Sequence, residues 1–298
     1  MPEDGVQLRD KKEFMTSEEI YAIAKTFVDL GVKKIRLTGG EPLIKKDIAN
    51  ILKTLSSLPI ELGISTNGIL VDRYTETFKK YGVQSVNVSL DSLNEQRSNQ
   101  ISRRNYFTRI MSNIQLLLDQ NFKVKLNVVL IKGTNEDEIL DFVDFTRERN
   151  VSVRFIEFMP FIGNNWDLER TVSYKSIIDK VVDCYGSEQL EKLTDNKNDT
   201  ASNYKIKGFI GSFGIISTVT NPFCDSCNRI RLTANGRIKN CLFSTSETDL
   251  LTAYRQGKDL NQLIAQTICS KKKIRSGTNS FENSTSYLKN RSMVTIGG

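Results

Sequence analysis

Histidine is absent from all 298 residues. Without an imidazole, a Ser-His-Asp triad, a histidine general base and a His-ligated zinc are excluded. Cysteine is scarce and unevenly placed, with five in the chain and none before Cys184. An odd number, three of them clustered, favours metal binding over a disulfide framework. Long apolar runs are also missing. The longest uncharged stretch, 208–224, is interrupted by Gly, Ser, Thr, Asn and Pro and is too polar to span a bilayer. The opening MPEDGVQLRDKKEF carries seven charges and no apolar core, which is no signal peptide, so the expected compartment is the cytoplasm.

What is present describes a globular protein, 39% hydrophobic and 26% charged, long enough for one large domain or two ordinary ones. Lys plus Arg exceed Asp plus Glu by 42 to 35, and the resulting +7 points weakly to an anionic partner. The run Lys271-Lys272-Lys273-Ile274-Arg275 reads equally as a solvated tail or a phosphate contact.

The first half alternates strand and helix. Thr16-Ser17-Glu18-Glu19 is a capping box, followed by Ile20, Ile23, Ala24, Phe27 and Leu30 on one helical face, with Gly31 as the stop. The pattern predicts strands over 34–38, 60–65, 85–89, 123–130 and 151–157, and helices over 47–58, 71–81, 106–118 and 136–149. Strands separated by helices imply parallel βαβ units, in an open sheet or a barrel. Farther on, 173–185 is amphipathic, 186–203 reads as a loop, and 204–220 as antiparallel strands.

Small and polar residues collect after the strands: Thr38-Gly39-Gly40-Glu41-Pro42, Ser65-Thr66-Asn67-Gly68, Ser89-Leu90-Asp91 and Glu157-Phe158-Met159-Pro160. Parallel α/β folds bind ligands beyond these C-terminal strand edges. Arg36, Lys125 and Arg154 stand inside strands, where a charge is expensive unless it is paired or faces a ligand. Arg36, between Ile35 and Leu37, points away from the helical layer.

Cys224 and Cys227 have CxxC spacing, and Cys241 follows after thirteen residues. A structural zinc needs four ligands. Only Cys184, Cys269 or a carboxylate remains for the fourth, none at a recognisable spacing. Three thiolates suit a [4Fe-4S] cluster with one iron open; a buried trio without metal is the plainer alternative. Between the cysteines, Arg229 and Arg231 share one face of an extended segment around Ile230, an arrangement suited to gripping a triphosphate. A solvated pair on an edge strand is the competing reading.

KKIRLTGGEPL, STNG, VNVSLDSL, KLNVVLIKG, VRFIEFMP, FCDSCNRIRLTANGRIKNCLF and the terminal IGG, in this order, give the whole chain a resemblance. It resembles the GTP 3′,8-cyclases of molybdenum cofactor biosynthesis (molybdenum cofactor biosynthesis protein A), in the radical S-adenosylmethionine (SAM) superfamily. The resemblance implies an α/β fold, an incomplete (β/α)6 barrel lacking its first strand over residues 1–200, with a C-terminal α+β iron-sulfur domain over 201–298. It implies a lyase that converts GTP to 3′,8-cyclo-7,8-dihydro-GTP. By the same resemblance Gly39, Gly40, Glu41, Ser89, Arg154 and Met159 would hold SAM. Cys224, Cys227 and Cys241 would bind the second 4Fe-4S cluster. Arg36, Ser65, Lys125, Arg229, Ile230 and Arg231 would contact GTP, and Arg36 with the tail Gly297 and Gly298 would belong to the catalytic set. Ser65 stands where Thr is common in the family.

One departure is large. The family carries a CxxxCxxC triplet followed by Met-Pro, whereas this sequence opens at Met-Pro. The expectation is a truncated chain, inactive for want of the SAM cluster. Implied partners are GTP, a downstream cyclic pyranopterin monophosphate synthase, an external electron donor and a second copy in a homodimer, with neither membrane nor nucleic acid. The rivals are another radical SAM enzyme with an auxiliary cluster, or a non-enzymatic zinc- and nucleotide-binding protein.

Overall fold

The computed structural model describes residues 10–278, 281 and 291–296. Thr16 starts helix α1 (Ser17–Asp29) with the expected capping box, in which Glu19 N–H donates to Thr16 Oγ1 (3.2 Å) and the Glu19 carboxylate accepts from Thr16 N–H (2.8 Å). Strands β1 (Lys34–Leu37), β2 (Glu61–Thr66), β3 (Val83–Ser89), β4 (Lys123–Leu130) and β5 (Val151–Glu157) run parallel, each beside its predecessor. Their crossovers hold α2 (Ile48–Leu55), α3 (Thr75–Lys80), α4 (Glu95–Ser102), α5 (Phe107–Asp119) and α6 (Ile139–Asp144). The periods expected at 71–81 and 136–149 are shorter α-helices, each led by a 3-10 turn. Helix α4 was not foreseen.

After α7 (Tyr174–Tyr185) come β6 (Leu190–Lys192), β7 (Ser202–Ile206) and β8 (Ser212–Ile216). The 186–203 segment, expected to be a loop, therefore contains a short strand. The β7–β8 hairpin is antiparallel as expected, but β8 then docks parallel to β5, so the sheet order is β1-β2-β3-β4-β5-β8-β7-β6. A sixth parallel strand thus comes from the second half of the chain. The division expected at residue 200 lies within this one sheet. Among the described residues β1 forms its other edge.

The pleat sorts the strands into two faces. Val86, Val88, Val124, Leu126, Val153 and Phe155 are buried in one apolar core with Ile110, Ile114 and Leu117 of α5 and Phe142 of α6. Each such side chain contributes about 1.5–3 kcal/mol on burial. Ser85, Asn87, Lys125, Asn127, Ser152 and Arg154 alternate with them and occupy the opposite face.

A second sheet is antiparallel, made of β9 (Arg231–Leu232), β10 (Arg237–Lys239) and β11 (Thr248–Asp249), and is followed by α8 (Leu250–Arg255) and α9 (Leu260–Cys269). Its core joins Ile238, Leu250, Leu251, Leu260 and Ile264 to Met15, Ile23 and Phe27. Helix α1 therefore packs on the C-terminal elements as well as on the main core. The salt bridge from Arg255 Nε to Glu19 Oε1 (2.7 Å) ties the two ends of the chain. A last turn, α10 (Met293–Ile296), lies near the C-terminus.

Candidate functional site

The polar sheet face is organised in two rows. Ser65, Asn87, Lys125 and Ser152 are register partners across β2 to β5, and Ser89, Asn127, Arg154 and Gly214 across β3 to β8. Arg36 lies over the neighbouring strand, where Gly63 leaves it room: a Cβ there would stand 3.8 Å from Arg36 Nη2. Ser85 Oγ, Asn87 Oδ1, Asn127 Oδ1 and Arg154 Nε are buried with no hydrogen-bond partner. Buried polar atoms are normally satisfied, so four orphans on one face mark a surface shaped for a polar ligand.

Arg229, from the segment between the cysteines, brings more positive charge to Arg36 and Arg154 on this face. Burial depresses the Arg36 pKa, and the nearby Arg229 guanidinium adds to the effect. Arg154 is pushed down to about 10 by burial, then by Arg36 and Arg229. Lys125 is pushed down to about 8 by burial and by Arg154 and Arg36. Arg231 is lowered by burial and by Arg229, and Arg229 itself by burial. Residues far apart in sequence therefore share one cationic pocket. Among the described residues, no carboxylate forms a salt bridge with Arg36, Lys125, Arg154 or Arg229. Like charges held together repel; the Asp199 carboxylate, without a direct salt bridge to them, offsets part of this at Lys125, Arg154 and Arg229, and a bound anion relieves the rest.

Beside the pocket lie the cysteines. Cys224 opens a 3-10 turn, Cys224–Ser226, that returns Cys227 N–H to the Cys224 carbonyl (3.2 Å). Cys241 follows β10, where buried Lys239 braces the bend by donating from Nζ to the Ser244 carbonyl (2.5 Å). The Cys241 thiol is raised by burial and, further, by Cys224 and Cys227, which places the three sulfurs in one neighbourhood. Cys184 and Cys269 are exposed. Among the described residues no three His, Cys, Asp or Glu side chains close around a single metal ion. A four-iron cube, bound through one iron per thiolate, needs a wider triangle than a lone zinc does. The donor set, three thiolates without a fourth ligand, fits the cube.

Glu41, grouped with Gly39 and Gly40 from the sequence, has a bracing position. Its carboxylate accepts from Thr66 Oγ1 (2.8 Å), Asn67 N–H (2.7 Å) and Leu43 N–H (3.0 Å), joining the loops after β1 and β2. Gly39 has φ +132°, a region that favours glycine, and nothing stands within 4 Å of a Cβ built on it or on Gly40. Ser89 ends β3 exposed, and Ser65 is half-buried. Met159 packs on an apolar group of Phe161, Phe243, Phe281 and Ile296 that also touches Cys241. Phe161 and Phe243 stack at 5.8 Å between ring centroids. Gly297 and Gly298 lie outside the described residues, but Ile296 just before them is buried in this group.

Three residues that the sequence named have roles it did not give. Glu157 at the end of β5 accepts from Val219 N–H (2.7 Å), Thr220 N–H (3.1 Å) and the Thr220 hydroxyl, holding the segment that leads to Cys224. Lys271 and Arg275 reach the cysteines themselves. The position of Glu157 in the strand-end EFMP motif was the available signal; for the basic run only its charge was visible.

Comparison with known proteins gives a consistent result. A profile of the Radical SAM superfamily matches residues 2–146, and one described as Molybdenum Cofactor Synthesis C matches 151–276. The chain is 41% identical to "Molybdenum cofactor biosynthesis protein moc-5" of Caenorhabditis elegans, over 91% of this chain and 46% of that protein. It thus spans about half the length of that relative. It is 40% identical to "GTP 3′,8-cyclase, mitochondrial" of Arabidopsis thaliana, over 100% of this chain and 76% of that one. Among solved structures, Streptococcus suis SuiB with bound S-adenosylmethionine aligns with TM-score 0.62 at 17% identity, covering 98% of this chain and 66% of that one. At that identity the likeness shows the fold alone.

Proposed function

Since the chain belongs to the GTP 3′,8-cyclase family of the radical SAM superfamily, we propose that its polar sheet face and cysteine trio bind GTP for the cyclisation that begins molybdenum cofactor biosynthesis, a lyase reaction. The observation that carries this reading is the confluence of Arg36, Lys125, Arg154, Arg229 and Arg231, from two halves of the chain, beside three convergent cysteines. Arg229 and Arg231 grip the triphosphate with planar forks, and Arg36 and Lys125 neutralise the remaining charge. Ser65 offers a hydroxyl from the first polar row. The Ile230 backbone lies between the two arginines.

Cys224, Cys227 and Cys241 would hold a [4Fe-4S] cluster, which supplies an open iron as a Lewis-acidic anchor for the purine. Phe161, Phe243 and Ile296 wall this region and exclude water. The tail Gly297 and Gly298, which follow Ile296 directly, would complete the catalytic set with Arg36. Gly39, Gly40, Ser89, Arg154 and Met159 would line the place for SAM, with Glu41 fixing the loop.

A SAM-activating cluster does not fit the residues present, because no cysteine occurs in positions 1–183. These 298 residues are accordingly proposed to bind GTP without turning it over. Anaerobic incubation with SAM and reductant should yield no 5′-deoxyadenosine; its formation would overturn this. For a chain that carries that cluster, the partners would be an electron donor and a synthase that consumes the cyclised nucleotide. Among the described residues no helix is long and apolar enough to cross a membrane. A relative named mitochondrial leaves the compartment to be found by localising the protein in cells.

Metal analysis after anaerobic reconstitution tests the reading. Iron and sulfide near about four each per chain are expected. One zinc, with salt-sensitive RNA binding and no preference for GTP, would instead identify a binding protein.

A further inference from the structure

The basic run at 271–275 lies against the cysteines. Lys271 follows the Ser270 cap of α9, and its N–H bonds to the Ile268 carbonyl (3.0 Å), so the helix end fixes its position. Its Nζ donates to the Cys227 carbonyl at 2.8 Å, to Cys227 Sγ at 3.4 Å and to the Arg229 carbonyl at 3.3 Å. Four residues later the Arg275 backbone N–H donates to Cys224 Sγ at 3.4 Å. That N–H is aimed by an unusual turn, with φ of +37° at Arg275 and +58° at Ser276, conformations that are costly for residues with side chains. The buried Arg275 side chain holds the turn: Nη1 donates to the Val219 carbonyl at 3.0 Å, and the guanidinium lies 5.0 Å from the Phe281 ring centre.

One segment therefore directs a donor at each sulfur of the CxxC pair. Hydrogen bonds to ligand sulfurs withdraw electron density from an iron-sulfur cluster and favour its reduced form. We propose that Lys271 and the Arg275 N–H, carried on one short segment, form a tuning arm that raises the reduction potential of the cluster held by Cys224, Cys227 and Cys241. Through the Arg229 carbonyl, Lys271 also fixes the backbone that presents a nucleotide-gripping arginine. Lys271 is thus a positioning residue. The inference rests on the cluster reading given above. It goes beyond it by assigning a role to a segment outside the cysteine motif.

The test is a redox titration of the anaerobically reconstituted chain, followed by the absorbance and electron paramagnetic resonance of the cluster. Lys271→Met should shift the reduction equilibrium roughly tenfold toward the oxidised form, about 59 mV lower for one electron. Lys271→Arg should restore most of the shift, and Lys273→Met, at an exposed neighbour, should leave it unchanged. Iron and sulfide are measured first. A wild-type chain that takes up neither rejects the cluster itself. Full iron loading with an unshifted Lys271→Met potential rejects the tuning arm alone, as does an equal shift in Lys273→Met. If Lys271→Met loses its iron, Lys271→Leu takes its place, removing the donor with a shorter side chain; an unchanged potential there also rejects the arm.

Discussion

At the scale of the residue, the site is a set of cations that the fold crowds together at a cost. Lys125 shows it most directly, with burial and its arginine neighbours pushing its pKa down to about 8. Between about pH 8 and the free-lysine value of ~10.4 the folded chain gives up a proton that the unfolded chain keeps. The penalty of charged Lys125 is therefore relieved as pH rises through that window, while attraction for an anion weakens. GTP affinity should fall as the pH passes upward through 8, and Lys125→Met should remove that part of the fall. Calorimetric titrations of both proteins across pH 7 to ~9.5 measure the difference. Arg229→Ala should weaken GTP by about 1.5–3 kcal/mol, roughly ten- to a hundredfold in Kd. Arg229→Lys should recover only part, because an ammonium lacks the planar fork.

At the scale of the element, strand ends place the chemistry and buried carboxylates hold the ends still. Glu157 is 1% exposed, with three donors from residues 219 and 220. Glu157→Gln leaves backbone donors poorly matched and should lower stability by about 1–3 kcal/mol in denaturant unfolding. Phe213 of β8 lies in the main core, fully buried. Phe213→Ala should cost about 3–5 kcal/mol; a much smaller loss would mean that β8 is no part of the sheet. Much of this scale was legible in advance, because the apolar periods of α1, β3, β4 and β5 are regular. What was not legible has physical reasons. Helix α4 has a single apolar residue, Ile101, and Ser98 is its only buried one, so there was no stripe to detect. Strand β6 is three residues on the sheet edge, with two of them exposed. The pairing of β8 with β5 crosses some sixty residues. Neither strand's own sequence encodes that partner, and a hairpin reading of β7 and β8 was locally complete without it.

At the scale of the whole molecule, the two halves of the chain make one pocket. The parallel sheet contributes Arg36, Lys125 and Arg154, the C-terminal domain contributes Arg229, Arg231 and the cysteines, and α1 packs into both cores. Single motifs announced these residues, but their convergence became visible only in three dimensions, as did the contacts from Lys271 and Arg275. The most direct measurement is a GTP titration of the anaerobically reconstituted, reduced chain, followed by electron paramagnetic resonance. A cluster held by three thiolates and open to the purine should change its signal as GTP binds, saturating at one equivalent per chain. A signal unaltered at GTP saturation, or a chain that binds no GTP once loaded with iron and sulfide, would contradict the account.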